Sequence, residues 1–323
     1  MGHFLSCDWG TSSFRLRLIE ANTLDILAEQ RSDQGIASTF SLWQGITQPN
    51  VKTREAFYLN YVQEHVVQIE DRLSIALQGI PVIFSGMTSS SIGLMELPYG
   101  TLPFFTDGND IPVVYLEPME EFPYPAYLIS GIRSEDDVMR GEETQLIGVV
   151  SQLKGEIEDQ LFIFPGTHSK HICVTNHQVT YFKTYMTGEI FDLLSKKSIL
   201  SASLEENKNI ENWDSFLSGV QMANASNLLH ASFMVRTQNL FGKLTKEQNH
   251  DFLSGLLIGT ELKELLQEDS MRIYLCCNSH LKPRYEAVLL HLGIRDVHVF
   301  SGEEIDEAVI RGQFQIYNQN KKT

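Results

Sequence analysis

The sequence predicts an α/β protein of about two domains whose second half repeats the plan of its first. Three observations lead there. The chain has 323 residues, more than the roughly 100–200 that one domain commonly uses. Two strand–turn–strand units, starting at Phe4 and Leu161, stand about 160 residues apart, and both turns are rich in Gly, Thr and Ser. A βαβ-like stretch then closes the second half.

The first hairpin has an apolar run from Phe4 to Cys7 and a turn-like string, Asp8-Trp9-Gly10-Thr11-Ser12-Ser13. In its second strand, from Phe14 to Ile19, Phe14, Leu16 and Leu18 alternate with Arg15 and Arg17, which is the period of a half-buried strand. Residues 54–78 read as a helix, because Tyr58, Val62, Val66, Ile69, Leu73 and Leu77 recur at spacings of three and four. Pro81 to Phe84 is a short strand ending at Ser85-Gly86. Residues 98–125 hold six of the ten prolines and read as irregular chain with short extended pieces. A second helix is predicted over 141–153. It carries Glu142 and Glu143 in its first turn, where the positive helix end favours acids.

In the second hairpin, Leu161 to Phe164 leads into Pro165-Gly166-Thr167-His168-Ser169-Lys170, and His171 to Thr175 leads out. Helices are predicted at 190–197, 213–229 and 245–267. A strand at 271–277, a helix at 283–292 and a strand at 296–300 follow. The last helix starts after Ser301, with Ser301 and Glu304 as a capping box and Gly312 as its stop.

Apolar residues at 42% and charged residues at 20% are ordinary globular proportions, so a core of useful size is available. Acids outnumber Lys and Arg by 41 to 25, for a net charge of −16. That balance argues against nucleic acid and anionic membranes as partners. A nucleotide stays allowed, because backbone N–H groups and a magnesium ion can hold phosphates without net protein charge. Cys7, Cys173, Cys276 and Cys277 lie in apolar runs and lack the spacing of a disulfide frame or zinc cage, so buried reduced thiols are expected. No apolar run approaches the ~18 residues of a membrane span. The N-terminus lacks the basic and apolar pattern of a signal peptide. A cytoplasmic protein is expected.

Turns with Gly and short hydroxyl residues leave N–H groups free and let an anion approach. Two of them can hold a triphosphate. Asp8 adds a carboxylate that can hold magnesium, an ion that takes one or two carboxylates plus phosphate oxygens, and Lys170 adds a point charge. The residues alone leave the plain alternative open, an ordinary hairpin turn.

The string Val138-Met139-Arg140-Gly141-Glu142-Glu143-Thr144-Gln145-Leu146-Ile147-Gly148 resembles the signature of the 2-dehydro-3-deoxygalactonokinase family. Further matches follow in order along most of the chain. Asp8-Trp9-Gly10-Thr11 resembles the family's first phosphate turn. Ser85-Gly86-Met87-Thr88, with Pro98-Tyr99, resembles its substrate-side loop. Pro165 to Lys170 resembles its second phosphate turn, and Met186-Thr187-Gly188-Glu189 and Phe252 to Gly259 also fit. The resemblance implies the actin-like ATPase and sugar kinase superfamily: two ribonuclease H-like domains with the active site in a cleft between them. These would be residues 1–155, completed by the C-terminal helix 302–318, and residues 156–301. The domains would close over the ligands, with hinges near 136–155 and 301–305. The implied activity is ATP- and Mg2+-dependent phosphorylation of a 2-keto-3-deoxy sugar acid, most directly 2-dehydro-3-deoxy-galactonate.

The resemblance also implies roles. Asp8, Gly10, Thr11, Ser12, Gly166, Thr167, His168 and Lys170 would bind nucleotide, Asp8 also the metal. Cys277, Asn278 and Ser279 would form the adenosine loop, where Leu275-Cys276-Cys277-Asn278-Ser279 departs from the family's usual small residues. Ser85, Gly86, Met87, Thr88, Arg140, Thr187, Gly188 and Glu189 would bind substrate. Two departures, Ser13-Phe14 before Arg15 and Ser89-Ser90-Ser91, lie near that pocket. Glu143 is expected as the general base, with Glu142 and Asp137 (or Asp136) as rivals, since phosphoryl transfer needs a carboxylate near the attacking hydroxyl. Arg140 suits a substrate carboxylate because a guanidinium grips it bidentately.

Each role has a plain counterpart: helix capping for the two glutamates and for Thr187-Gly188-Glu189, and a surface ion pair for Arg140. His168 and His171 point to opposite faces of a hairpin strand and make a poor metal pair. Arg284 or Tyr285 would border the adenine or lie on a helix surface. Two other functions remain alongside the kinase. One is a phosphohydrolase of polyphosphate or a nucleotide, and the other is a non-catalytic nucleotide-binding protein. Homodimer formation stays open.

Overall fold

The structure of the protein is a computed structural model that describes residues 2–46, 53–153, 159–206, 212–267, 271–277 and 280–321. It divides into two compact units. The first holds the described residues of Met1–Glu156, His177–Tyr181 and Glu303–Thr323, and the second those of Ile157–Asn176 and Phe182–Gly302.

In chain order the first unit contributes β1 (His3–Trp9), β2 (Phe14–Glu20), β3 (Ile26–Ser32), α1 (Ile36–Gln44), α2 (Arg54–Leu73), β4 (Val82–Gly86), β5 (Gly100–Thr101), β6 (Phe104–Phe105), β7 (Val113–Leu116), β8 (Ala126–Ile129), β9 (Ile132–Arg133), β10 (Val138–Met139) and α3 (Glu142–Val150). The second contributes β11 (Gln160–Phe164), β12 (Ser169–Thr175), β13 (Gln178–Tyr185), α4 (Thr187–Lys197), α5 (Trp213–Ala225), α6 (Leu228–Leu240), α7 (Lys246–Leu262), β14 (Arg272–Leu275), α8 (Lys282–His291) and β15 (Val297–Val299). The chain then returns to the first unit with α9 (Gly302–Asn320). The first four residues of β13 belong to the first unit, where Gln178 and Val179 pair with Phe105 and Phe104.

The duplication expected from the two hairpins is present. The first sheet has the order β3-β2-β1-β4-β8, with β7 at its edge, and the second has β13-β12-β11-β14-β15. In each, the opening hairpin is antiparallel and the next two strands add parallel to its first strand. Parallel addition needs a crossover, and a helix supplies it: α2 between β1 and β4, and α8 between β14 and β15.

Period-two alternation sends Leu5, Cys7 and Trp9 of β1 to one face of the first sheet. They pack there with Tyr58, Val62, Val66 and Ile69 of α2 in a continuous apolar core. The helix predicted to 78 stops at Leu73 because Ser74 turns left-handed at φ 54° and caps it. The opposite face receives α9, where Phe314 stacks on Phe4 at 5.2 Å and Tyr317 meets Tyr127 edge-on at 4.8 Å.

The predicted stop at Gly312 is wrong, because α9 runs through it to Asn320. A Cβ at Gly312 would lie 1.9 Å from the Thr144 carbonyl oxygen, and one at Gly148 would lie 1.7 Å from that of Ala308. Gly312 therefore marks the close approach of α9 to α3, not a terminus. The single helix expected over 213–229 is two, α5 and α6. The α5 helix ends at Ala225, where Ser226 takes an extended backbone, and Asn227 caps α6 by accepting from the Leu229 N–H at 2.9 Å. Strand β14 stops at Leu275, so Cys276 and Cys277 lie just beyond it, although the Cys276 N–H still bonds Ile163 O at 2.8 Å. All four cysteines are free thiols, three of them buried and Cys173 partly so. Among the described residues no helix is long and apolar enough to cross a membrane.

Candidate active site

The ends of β1 and β4 and the start of α3 meet in the first unit. Gly86 closes the parallel β1–β4 ladder opposite Trp9, with Ser85 opposite Asp8. Its φ is +79°, and a Cβ there would sit 2.8 Å from the Trp9 carbonyl oxygen, so only glycine fits. Gly141, at φ +111°, lies against it: a Cβ on Gly141 would be 3.3 Å from the Gly86 Cα. This contact of two glycines brings the N-terminus of α3 toward Asp8, so that the Glu142 carboxylate acts on that of Asp8.

The electrostatics follow from that crowding. Burial raises the Asp8 pKa, Arg15 and Arg17 oppose the rise, and Asp306 and Glu142 add to it. Among the described residues no hydrogen-bond donor reaches the Asp8 carboxylate. Glu143 is 1% exposed. Its carboxylate accepts the Gly141 N–H at 2.7 and 2.9 Å and the Thr144 hydroxyl at 3.1 Å. Burial, then the neighbouring Glu142, pushes its pKa up to about 7 against those bonds. Glu142 is half-buried and accepts the Arg140 N–H at 3.1 Å. Asp137 lies in a turn of its own, where it accepts the Val138 N–H at 2.7 Å, and Asp136 is exposed.

Arg140 is fixed on two sides. Its Nη1 donates to the Ser89 carbonyl and hydroxyl, both at 2.5 Å, and its Cζ sits 4.2 Å from the Tyr99 ring centroid. The Ser89 hydroxyl in turn donates to Ile129 O at 2.9 Å. The Arg140 Nε is buried and has no hydrogen-bond partner. A surface ion pair, the plain alternative, is not what the structure shows for this residue. Of the predicted substrate loop, Ser85 and Thr88 are buried: Ser85 Oγ accepts from Gln313 Nε2 at 2.8 Å, and Thr88 donates back to Ser85 O at 3.3 Å. Met87 stays partly open.

The first turn has the form a phosphate receptacle needs. Gly10 N–H closes it on Ser13 O at 2.9 Å, and the start of α1 holds its carbonyls, Ile36 N to Gly10 O at 3.0 Å and Ala37 N to Thr11 O at 3.1 Å. Thr11, Ser12 and Ser13 are exposed, and among the described residues their N–H groups donate to no backbone carbonyl.

The second unit carries the other turn. Thr167 and His168 are exposed, and among the described residues their N–H groups likewise donate to no backbone carbonyl. The first turn of α4 packs onto this turn. A Cβ at Gly188 would be 2.7 Å from Gly166 O, the Glu189 N–H bonds Thr167 O at 3.0 Å, and the Glu189 carboxylate meets His168 Nε2. Thr187, Gly188 and Glu189 are therefore built against the second turn. Lys170 is buried in β12. Cys277 is buried and its thiol is pushed up to about 12 by burial, while Asn278 and Ser279 lie outside the described residues. Tyr285 is 1% exposed and bonded inside the unit, so it does not lie on a helix surface. Arg284 pairs with Asp251 at 2.9 Å.

Sequence reasoning gave no role to Ser89, Tyr99, Gln313 or Glu261. Ser89, near the expected substrate pocket, and Tyr99 stood in quoted strings without a role. Glu261 had one signal, a lone carboxylate in the apolar run from Phe252 to Leu262, which burial tolerates only with partners.

The comparisons agree on one family. The family model described as 2-keto-3-deoxy-galactonokinase matches residues 8–316. The 2-dehydro-3-deoxygalactonokinase of Escherichia coli (strain K12) is 30% identical over 317 residues, covering 95% of this chain and 96% of that protein. DgoK1 of Rhizobium meliloti (strain 1021), assigned the same activity, is 30% identical over 282 residues, covering 81% of this chain and 79% of its own. A solved structure from Sinorhizobium meliloti, also assigned as a 2-dehydro-3-deoxygalactonokinase, superposes with a TM-score of 0.77 at 27% identity, covering 96% of this chain and 94% of that one.

Proposed function

Because the chain belongs to the 2-keto-3-deoxy-galactonokinase family and is thus a sugar-acid kinase, we propose that it transfers the γ-phosphoryl group of ATP to the terminal hydroxyl of a 2-keto-3-deoxy sugar acid, with 2-dehydro-3-deoxy-galactonate giving its 6-phosphate. One observation carries the choice of a sugar acid: the buried, unpartnered Nε of Arg140. With Nη1 tied to Ser89, the Nε–Nη2 edge is the side of the guanidinium left to take a planar carboxylate bidentately.

The remaining roles follow from the chemistry of the groups. Asp8 is a carboxylate without a donor, raised by burial and by two nearby acids, and it suits a magnesium ion, which neutralises phosphate charge when bound. The free N–H groups of Thr11, Ser12 and Ser13 and of Thr167 and His168 receive phosphate oxygens. Glu143 accepts the proton of the attacking hydroxyl as the new O–P bond forms and the bond from the γ-phosphorus to the β-phosphate oxygen breaks, releasing ADP. A carboxyl with a pKa near 7 is matched to that task at neutral pH. Residues 1–155 with helix 302–318 are proposed as the sugar-acid domain, and 156–301 as the nucleotide domain.

The test is an ADP-release screen over 2-keto-3-deoxy sugar acids, their reduced forms and analogues lacking the carboxylate. Magnesium-dependent turnover that requires both the sugar acid and its carboxylate is expected. ADP release that is indifferent to any sugar acid would replace the kinase with a phosphohydrolase.

A further inference from the structure

The second unit contains a buried carboxylate for which the reaction itself has no use. Glu261 of α7 is 2% exposed and collects donors from three other elements. Its Oε1 is 3.0 Å from His171 Nε2 of β12. Its Oε2 accepts the Tyr285 hydroxyl of α8 at 2.8 Å and the hydroxyl of Thr187, the first residue of α4. Tyr285 OH also lies 3.1 Å from Ser169 Oγ, and Ser169 Oγ lies 3.4 Å from the Gly166 N–H. Two chains of contact thus run from one carboxylate to the Gly166–Thr167–His168 turn. One passes through Tyr285 and Ser169. The other passes through Thr187 to the start of α4, which packs on the turn at Gly188 and bonds Thr167 O.

We propose that Glu261 is a positioning residue for the nucleotide: it locks the second turn and the first turn of α4 into one preformed receptacle for a nucleoside diphosphate. The inference rests on the reading of this turn as a phosphate site. Its physical basis is that a fully satisfied buried network holds one geometry, and an anion receptacle whose N–H groups are already aimed needs no ordering when the ligand arrives. Removal of the hub frees the Thr187, Tyr285 and His171 donors together, and the turn loses its support without losing any group that touches the ligand.

The test is calorimetric titration of MgADP into the whole protein, with melting temperature followed separately. Glu261→Ala is expected to raise the Kd for MgADP at least about tenfold. Glu261→Gln keeps an oxygen for Thr187 and Tyr285 and is expected to recover most of the binding. Tyr285→Phe removes the contacts of one hydroxyl with Glu261 and Ser169, and Thr187→Val removes the single contact with Glu261; both retain the core, so they keep the test valid if Glu261→Ala does not fold. Both are expected to weaken MgADP several-fold, and Tyr285→Phe to do so with the KM for the sugar acid unchanged. If the folded variants bind MgADP as wild type does and only their melting temperatures fall, Glu261 is structural and this inference alone is overturned. If Glu261→Gln binds as poorly as Glu261→Ala, charge and not hydrogen-bond geometry sets the affinity, and the positioning role falls. If the wild-type protein does not bind MgADP, the phosphate reading of the turn fails and takes this inference with it.

Discussion

Replacing Glu143 by Gln should make the protein more stable above neutral pH and nearly inactive. The carboxyl is 1% exposed with a pKa of about 7 against an ordinary 4.5, a gap worth about 3 kcal/mol at 1.36 kcal/mol per unit. For a group that holds its proton more tightly when folded, the folded state is favoured while both states are protonated, below about pH 4.5. That advantage is lost as pH rises through about 7, and above it the buried charge costs its full amount. Glu143→Gln never ionises, so its stability relative to wild type should rise by up to about 3 kcal/mol between pH 5 and 8. Denaturant unfolding of both proteins at several pH values measures the difference directly and cancels the contribution of other groups. Over the same range, wild-type turnover should rise with an apparent pKa near 7, as a base must be deprotonated to act. The variant's kcat should fall by about 10²–10⁴-fold with little change in KM. A variant that keeps wild-type kcat would refute the base assignment, and parallel stability curves would refute the buried charge.

Three further outcomes are expected. Asp8→Asn should lower magnesium-dependent turnover by about 10²-fold or more without lowering the melting temperature, and full activity would remove Asp8 from the metal. Arg140→Lys keeps charge but loses the fork, so the sugar-acid KM should rise about tenfold or more while the ATP KM stays put; an effect on ATP alone would move Arg140 to the phosphates. Gly312→Ala places a methyl 1.9 Å from the Thr144 carbonyl oxygen and should destabilise the first unit by about 1–3 kcal/mol or more in denaturant unfolding; an unchanged midpoint would mean that α3 and α9 do not meet as described.

By itself the sequence determined what short-range physics controls. Two hairpins with Gly-hydroxyl turns, the apolar run in β1, alternation along β2, and the three–four spacing in α2 need only neighbours a few residues away. The duplicated plan followed from their repetition, and the string from Val138 to Gly148 was specific enough to indicate the family. Contacts across long separations were decided only by the tertiary structure. Gly312 reads as a helix stop until α3 is packed against it, since close helix approach and chain termination both favour a missing Cβ. The same holds for Thr187, Gly188 and Glu189, whose place against the second turn depends on how α4 folds back. Glu143 looks like any acid in a first helical turn, and its raised pKa comes from burial of that turn, where Gly141 packs on Gly86, and from the neighbouring Glu142. Arg140 and Glu261 make the same point from opposite sides: whether a charged side chain ends with an unpartnered nitrogen or with three donors depends on groups 24 to 90 residues away in the chain, which only the folded backbone brings together.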